Sequence, residues 1–270
     1  MGSPSEEQAP TDALYPQQAV IVCAADGRRG EADALAQRLG LPVTVEPPQE
    51  AGRLALVLTA ERLQVQLTGA AAPGAVYADF VTGATARRGR EAARADEGLL
   101  RAAGARQGQT PEVIDTTAGL GRDAWLLAAV GCRVTLVERH PAVSALLADA
   151  LERARADEEA APIAAGIELI EAEAIAVLAG RAADTIIVDP MHPPRRKSAA
   201  VRKEMQVFRA LVGADGDSDA LLPTAIAAAR RRVVVKRPRG AVALPGPAPS
   251  GSIDGRSTRF DIYAGGAEST

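Results

Sequence analysis

The sequence is poor in the residues from which metal sites and cross-links are built. Its 270 residues hold two cysteines and two histidines. Cys23 and Cys132 supply no disulfide framework and no zinc spacing, and with so few histidines no metal is expected. No apolar stretch reaches about 18 residues without a charge or a breaker, which excludes a transmembrane helix and leaves no membrane among the expected partners. Neither sign of charge dominates. There are 31 Lys+Arg against 34 Asp+Glu, for a net charge of −3. That balance excludes a histone-like binder working by bulk charge, while local basic patches stay possible. Lysine is scarce, with Lys197, Lys203 and Lys236 the only ones, and alanine abundant. We read both as genome base composition. The segment Met1 to Pro16 lacks the basic and apolar regions of a signal peptide, so it reads as a frayed tail, and a reducing cytoplasm is the expected compartment. The remainder, 47% hydrophobic and 24% charged, is the composition of a soluble globular protein large enough for one domain, or one large and one small.

The pattern along the chain changes near residue 112. Before it, Ala19 to Cys23 reads as a strand, Glu31 to Leu39 as a helix stopped by Gly40, and Leu54 to Leu58 and Leu63 to Leu67 as two strands about a loop. A further strand is expected over Val76 to Val81. These elements predict a small α+β domain over 18–82, after a disordered tail over 1–17 and before a main domain over 83–270. In the main domain strands alternate with helices. Val113 to Asp115, Arg133 to Val137, Ile167 to Ile170, Thr185 to Val188 and Arg232 to Lys236 read as strands, and Gly121 to Val130 and Pro141 to Ala156 as helices. A helix capped by Ser198 presents Val201, Met205, Phe208 and Val212, and another runs from Asp219 to Arg231. Gly240 to Gly255, rich in Pro and Gly, is expected to be loop, and Phe260 to Tyr263 the last strand. Repeated βα units predict a doubly wound, mostly parallel sheet.

Three motifs fall at the carboxyl ends of those strands, where such sheets bind ligands. The first runs from Asp115 through Gly119, Gly121, Arg122 and Asp123, a strand entering a Gly-x-Gly turn and then a helix. Glycines let a ligand approach the backbone, and the helix start offers unpaired N–H groups. The second is Glu138 followed by Arg139 at the end of the next strand, where a carboxylate accepts hydrogen bonds from ribose hydroxyls. It suits an adenosyl cofactor and NAD equally. The third is Asp189-Pro190-Met191-His192-Pro193-Pro194, which resembles the Asp/Asn-Pro-Pro-aromatic loop of methyltransferases acting on exocyclic or amide nitrogens. Such nitrogens are poor nucleophiles. A carboxylate and a proline carbonyl that accept both N–H hydrogens aim the lone pair at a methyl donor by orientation alone.

Taken together, these stretches resemble the RsmJ family, bacterial 16S ribosomal RNA guanine-N2 methyltransferases that use S-adenosylmethionine. The likeness extends over Asp79 to Gly83, Asp115 to Asp123, Val130 to Val134, Val188 to Met191, Lys197 to Ala199, Lys203 to Phe208, Leu211 to Gly213, Arg232 to Pro238 and Arg259 to Gly265. It implies an α/β, Rossmann-like class I methyltransferase sheet, S-adenosylmethionine as cofactor, and 16S rRNA of the small ribosomal subunit as partner. The resemblance places the cofactor against Asp115, Gly119, Gly121, Arg122, Asp123, Glu138, Arg139, Glu173, Ala174 and Asp189, with Asp189, Pro190 and His192 at the reacting base. Two positions depart from the family pattern. His192 replaces an aromatic residue that stacks on the guanine, and Glu173-Ala174 replaces a pair of small polar residues beside the adenine.

RNA contact in an acidic protein has to come from patches. Arg195, Arg196, Lys197, Arg202 and Lys203 follow the fourth strand of the main domain, and Lys236, Arg237 and Arg239 follow the fifth, so both groups are expected beside the catalytic crevice. Arg87, Arg88, Arg90 and Arg94 form a further group, whereas Arg230 and Arg231 are expected to balance a helix dipole. Asp215 to Asp219 starts like a calcium loop, but Ala220 stands where glycine is needed and Ile226 where the bidentate glutamate is needed, so Asp219 is expected to be a helix cap. A methyltransferase acting on a protein amide or on DNA adenine shares the same loop logic. An NAD-linked oxidoreductase and a non-catalytic rRNA-binding assembly factor are more distant alternatives. No oligomeric state follows from the sequence, a monomer being slightly favoured.

Overall fold

The structure is a computed structural model. It describes residues 19–25, 27–92, 97–105, 108–190, 199–212 and 218–266, with side chains from 204 and from 220 onward in the last two segments. The chain divides into two compact units. One holds the chain up to Tyr77 together with the helix over 199–212. The other holds Ala78 to Pro190 and everything from residue 218 on.

The first unit is built on a four-stranded sheet, β2-β1-β3-β4. Its strands are β1 (Ala19–Cys23), β2 (Val43–Thr44), β3 (Leu54–Leu58) and β4 (Leu63–Leu67), with α1 (Arg29–Leu39) between β1 and β2. Strand β1 lies parallel to β2 and β3, and β4 returns antiparallel. The alternation in Leu63-Gln64-Val65-Gln66-Leu67 is reproduced as buried and half-buried residues in turn. No strand covers 76–81. Val76 makes a single antiparallel bridge to Val65. Asp79 then accepts the N–H groups of Val81 and Thr82 at 3.0 and 3.2 Å and turns the chain out of extended conformation. In the same unit as the four-stranded sheet, the helix Ala199–Val212 buries Val207 and Leu211, one turn apart.

The second unit is a seven-stranded sheet. Its strands are β5 (Glu112–Asp115), β6 (Arg133–Glu138), β7 (Ile167–Glu171), β8 (Ala183–Val188), β9 (Ala229–Pro238), β10 (Gly251–Asp254) and β11 (Thr258–Ala264), in the spatial order β10-β11-β9-β8-β5-β6-β7. The five contiguous strands from β9 to the edge strand β7 (β9, β8, β5, β6, β7) are parallel. The last two pair antiparallel. The expected α/β, Rossmann-like sheet is present. Its strand order reverses between β5 and β8, and a doubly wound sheet opens its ligand crevice at such a reversal. Runs such as Thr185-Ile186-Ile187-Val188 are buried on both faces, as a central parallel strand requires. The helices between are α2 (Gly83–Glu91), α3 (Gly98–Ala103), α4 (Arg122–Ala129), α5 (Pro141–Ala156), α6 (Ala161–Ala164) and α7 (Ala174–Leu178). The helix over 199–212 is α8, and α9 is Ser218–Ala228.

Three boundaries differ from the sequence reading. Helix α9 stops at Ala228 and strand β9 starts at Ala229, so Arg230 and Arg231 lie in the sheet. Arg230 bonds Glu112 and Asp184, at 2.5 and 3.3 Å, rather than a helix end. Helix α9 begins at Ser218, which puts Asp219 inside it. The stretch expected to be loop over 240–255 contains β10, because Gly251 to Asp254 finds the open edge of β11. Among the described residues no helix is long and apolar enough to cross a membrane, and no group of three metal-ligating side chains occurs.

Candidate active site

Strand β5 delivers Asp115 to the carboxyl edge of the sheet, where it is 4% exposed. The chain then turns. Thr116 donates both its N–H and its hydroxyl to Ile187 O, at 3.0 and 2.7 Å, and so locks the end of β5 to β8. Thr117 donates its N–H to Asp115 Oδ1 at 3.1 Å, and its own hydroxyl oxygen accepts the N–H of Asp189 at 2.7 Å. The loops after β5 and β8 are thereby joined at one hydroxyl.

Beyond Thr117 comes the glycine turn. Gly119 and Gly121 have φ of 53° and 70°, in the left-handed region that L side chains avoid. A Cβ on Gly121 would lie 2.8 Å from Phe80 Cζ and 3.0 Å from Leu147 Cδ2. Phe80 in turn stacks on Trp125 of α4, with centroids 4.7 Å apart. The second glycine is therefore required by packing. At Gly119 a Cβ would meet nothing nearer than Thr117 O at 3.8 Å, so the space beside the turn is open. The N–H of Gly119 donates to Glu138 Oε2 at 3.3 Å, and that of His140 to Oε1 at 2.8 Å. Burial pushes the Glu138 carboxyl up to about 7 against these hydrogen bonds.

Asp123, in the first turn of α4, faces inward. Its carboxylate takes Lys236 Nζ at 2.6 Å and Arg88 Nη1 at 3.1 Å. Burial opposes its ionisation, but these two cations outweigh burial and hold it below the usual carboxylate range. Lys236 also reaches Asp189 Oδ2 at 2.7 Å. Burial works against the lysine charge as well, and Asp123 and Asp189 overcome it, raising the ammonium above its ordinary value. Among the described residues Asp115 has no such partner within bonding distance. Burial, reinforced by the charges of Asp123 and Asp189, lifts it to about 7.

The structure thus brings together Asp115, Gly119, Asp123 and Asp189, with Glu138 bonded to the glycine turn. Asp189 is about one-third exposed and Pro190 is buried behind it. Arg122 is exposed at the start of α4. Arg139 and Glu173 face each other across the ends of β6 and β7 at 3.9 Å, and Ala174 opens α7. His192, Arg195, Arg196 and Lys197 lie outside the described residues, as does Arg94. Arg202 and Lys203 lie on α8 where side chains are not described. Lys236 and Arg237, both expected at an RNA surface, have other partners. Lys236 sits between two carboxylates. Arg237 is 8% exposed and donates to Val242 O at 2.5 Å.

A family model described as "Putative SAM-dependent methyltransferase" matches residues 34–265. The protein named ribosomal RNA small subunit methyltransferase J of Pseudomonas aeruginosa strain PAO1 is 46% identical over 256 residues, covering 94% of this chain and 97% of its own. The chain belongs to this family of SAM-dependent methyltransferases. A protein of the same name from Thioalkalivibrio sulfidiphilus is 46% identical over 248 residues, 90% of this chain and 96% of that one. A crystal structure of a SAM-dependent methyltransferase from Neisseria gonorrhoeae superposes with a TM-score of 0.68 at 31% identity, covering 91% of this chain and 95% of the other. The family resemblance carried by the motifs is borne out.

The residues of this methyltransferase suit S-adenosylmethionine. The turn at Gly119 is open on the side a ligand would approach, and Glu138 has lone pairs left for hydroxyl donors. Among the described residues the carboxylates of Asp123, Asp189 and, once ionised, Asp115 outnumber the cations Lys236 and Arg88, which favours a positively charged ligand. Two residues that organise the site geometry escape the sequence reading. Thr117 is inside a motif that was read for its glycines. Lys236 was read as part of a basic run, although its place on a buried strand argues for an internal ion pair.

Proposed function

We propose that this methyltransferase modifies 16S rRNA of the small ribosomal subunit in the cytoplasm, transferring a methyl group to the exocyclic N2 of a guanine. The observation that carries this reading is the Asp189 carboxylate. It is partly exposed at the sheet reversal, with its main chain fixed by Thr117 and its side chain by Lys236. Relatives at 46% identity named for small-subunit rRNA methylation support the choice of substrate.

The proposed roles follow from the chemistry of each group. Gly119 and Gly121 let the cofactor approach the main chain, Glu138 accepts from its ribose, and Arg122, Arg139, Glu173 and Ala174 line the same edge. When bound, S-adenosylmethionine supplies a methyl group made electrophilic by a sulfonium charge. Asp189 and the Pro190 carbonyl accept the two N–H hydrogens of the guanine amine, whose lone pair is otherwise delocalised into the ring and not directed at the methyl donor. Fixing that amine is orientation catalysis and needs no covalent intermediate. The base has to leave its stack to reach this edge. His192 packs on the unstacked ring, and Arg195, Arg196, Lys197, Arg202 and Lys203 hold phosphates of the RNA.

The test is transfer of labelled methyl from S-adenosylmethionine to purified small subunits, with DNA and protein as competitors, followed by mass spectrometry of the rRNA. A single methylated guanine, labelled at N2, is expected. Label on DNA adenine or on a protein amide instead would overturn the reading.

A further inference from the structure

Lys236 is placed by β9 between two acids that belong to different parts of the site. Asp123 comes from α4 and Asp189 from the loop after β8, at 2.6 and 2.7 Å from the same ammonium. Asp123 is anchored from its other side by Arg88 of α2 at 3.1 Å, and Arg88 is itself bidentate to Glu97 at 2.9 and 3.0 Å. The chain Glu97–Arg88–Asp123–Lys236–Asp189 therefore ties the partly exposed Asp189 carboxylate, through the more buried Asp123, to helix α2. Asp115 of β5 completes the charges around the lysine.

We propose that Lys236 is a positioning residue: tethered to Asp123, it holds the Asp189 carboxylate ionised and in one orientation toward the substrate amine, and it does not contact RNA phosphate. This rests on the role given to Asp189 above. A lysine with two anionic partners has little charge left to displace counterions from RNA. A carboxylate with a free rotamer, by contrast, loses the aim on which orientation catalysis depends. The ammonium performs both tasks at once, because it sets charge and direction through the same bond.

The experiment compares the full-length wild type with Lys236→Met and Lys236→Arg. It measures methyl transfer to small-subunit rRNA from about pH 5 to about pH 9, and RNA affinity as a function of salt. Lys236→Met is expected to lower kcat on the order of 10- to 100-fold. It should leave KM for RNA and the salt slope unchanged, and move the acid limb of the profile up by about one unit or more. Lys236→Arg returns the acid limb toward its original position with partial recovery of kcat. An unchanged kcat and acid limb in Lys236→Met overturns the proposal. So does a salt slope reduced by about one with kcat intact, which identifies a phosphate contact. If the wild type itself transfers no methyl to this RNA, the proposed function fails separately, and Lys236 is then judged by unfolding. Without the lysine, Asp123 loses one of the two charges that depress its pKa, so the stability that the wild type loses as pH falls below about 4 should shrink in the variant. Acid unfolding identical to wild type overturns the tether. If Lys236→Met does not fold, Lys236→Gln is read by the same measurements.

Discussion

The main-chain N–H of Asp189 donates to the hydroxyl oxygen of Thr117 at 2.7 Å, so the outward-facing acid is fixed by the loop of a neighbouring strand. Thr117→Val keeps the shape and removes the acceptor. We expect it to cost about 1 kcal/mol in urea unfolding and to lower kcat far more than a loss of that size explains. Thr117→Ser, which keeps the oxygen, should stay close to wild type. Equal activity in the valine and serine variants would show that the bond does not position Asp189.

The two glycines of the turn have separable tasks. Gly121→Ala adds a Cβ at 2.8 Å from Phe80 and 3.0 Å from Leu147, at a φ of 70°. Left-handed strain and overpacking together should destabilise the fold by about 2–5 kcal/mol. Gly119→Ala meets no atom closer than 3.8 Å and carries only the strain, about 1–2 kcal/mol. Its methyl nonetheless occupies the open side of the turn, so calorimetry should show cofactor binding weakened more than stability. Similar unfolding losses in both variants would contradict the packing argument.

Asp115 and Glu138 set a pH dependence. Both carboxyls are pushed up to about 7, from ordinary values of 3.8 and 4.5, chiefly by burial. Between those limits the native state keeps protons that the unfolded chain releases. Stability therefore falls as pH rises from about 4 to about 7 and is level above. Asp115→Asn removes one of the two contributions and keeps an oxygen for the Thr117 N–H. It should be more stable than wild type at pH 8 by about 1–3 kcal/mol. In the wild type, binding of S-adenosylmethionine should tighten as pH passes through about 7, because the ionised carboxyls attract a sulfonium and accept hydroxyl hydrogens. Asp115→Asn unfolding with the wild-type pH dependence would remove Asp115 as the cause.

Much of the main sheet is legible in the sequence because its strands are short apolar runs bounded by charged residues, glycine or proline. The candidate site residues Asp115, Glu138 and Asp189 stand where those runs end. Helix α2 is not legible, since Gly83 to Glu91 has no apolar stripe. It buries Ala86 and Gly89, and Gly89 lies against the indole of Trp125, 36 residues further along the chain, a contact no sequence period reveals. Strand β10 is masked by the Pro and Gly before it and exists because β11 offers a partner. Lys236-Arg237 misleads for a different reason. The strand continues through both, pairing them with Phe260 and Arg259. Consecutive strand residues point to opposite faces, so two adjacent cations on a strand cannot form one patch.

Arg237 provides the last test. Its guanidinium is buried, one nitrogen donating to Val242 O and Nε lacking a partner among the described residues. Burial lowers its pKa even though Asp261 faces it. Asp261 keeps its own bidentate pair with Arg259 at 2.7 and 2.8 Å, and Val242, at 84% exposed, has water at hand. Arg237→Met therefore exchanges a poorly paired buried cation for an apolar chain of similar reach, and its effect on stability should stay within about 1 kcal/mol of zero. The salt slope of RNA binding should be unchanged, whereas a residue bound to phosphate would lower it by about one. A lower slope with stability intact would place Arg237 on the RNA, and would mean that the end of β9 opens when substrate binds.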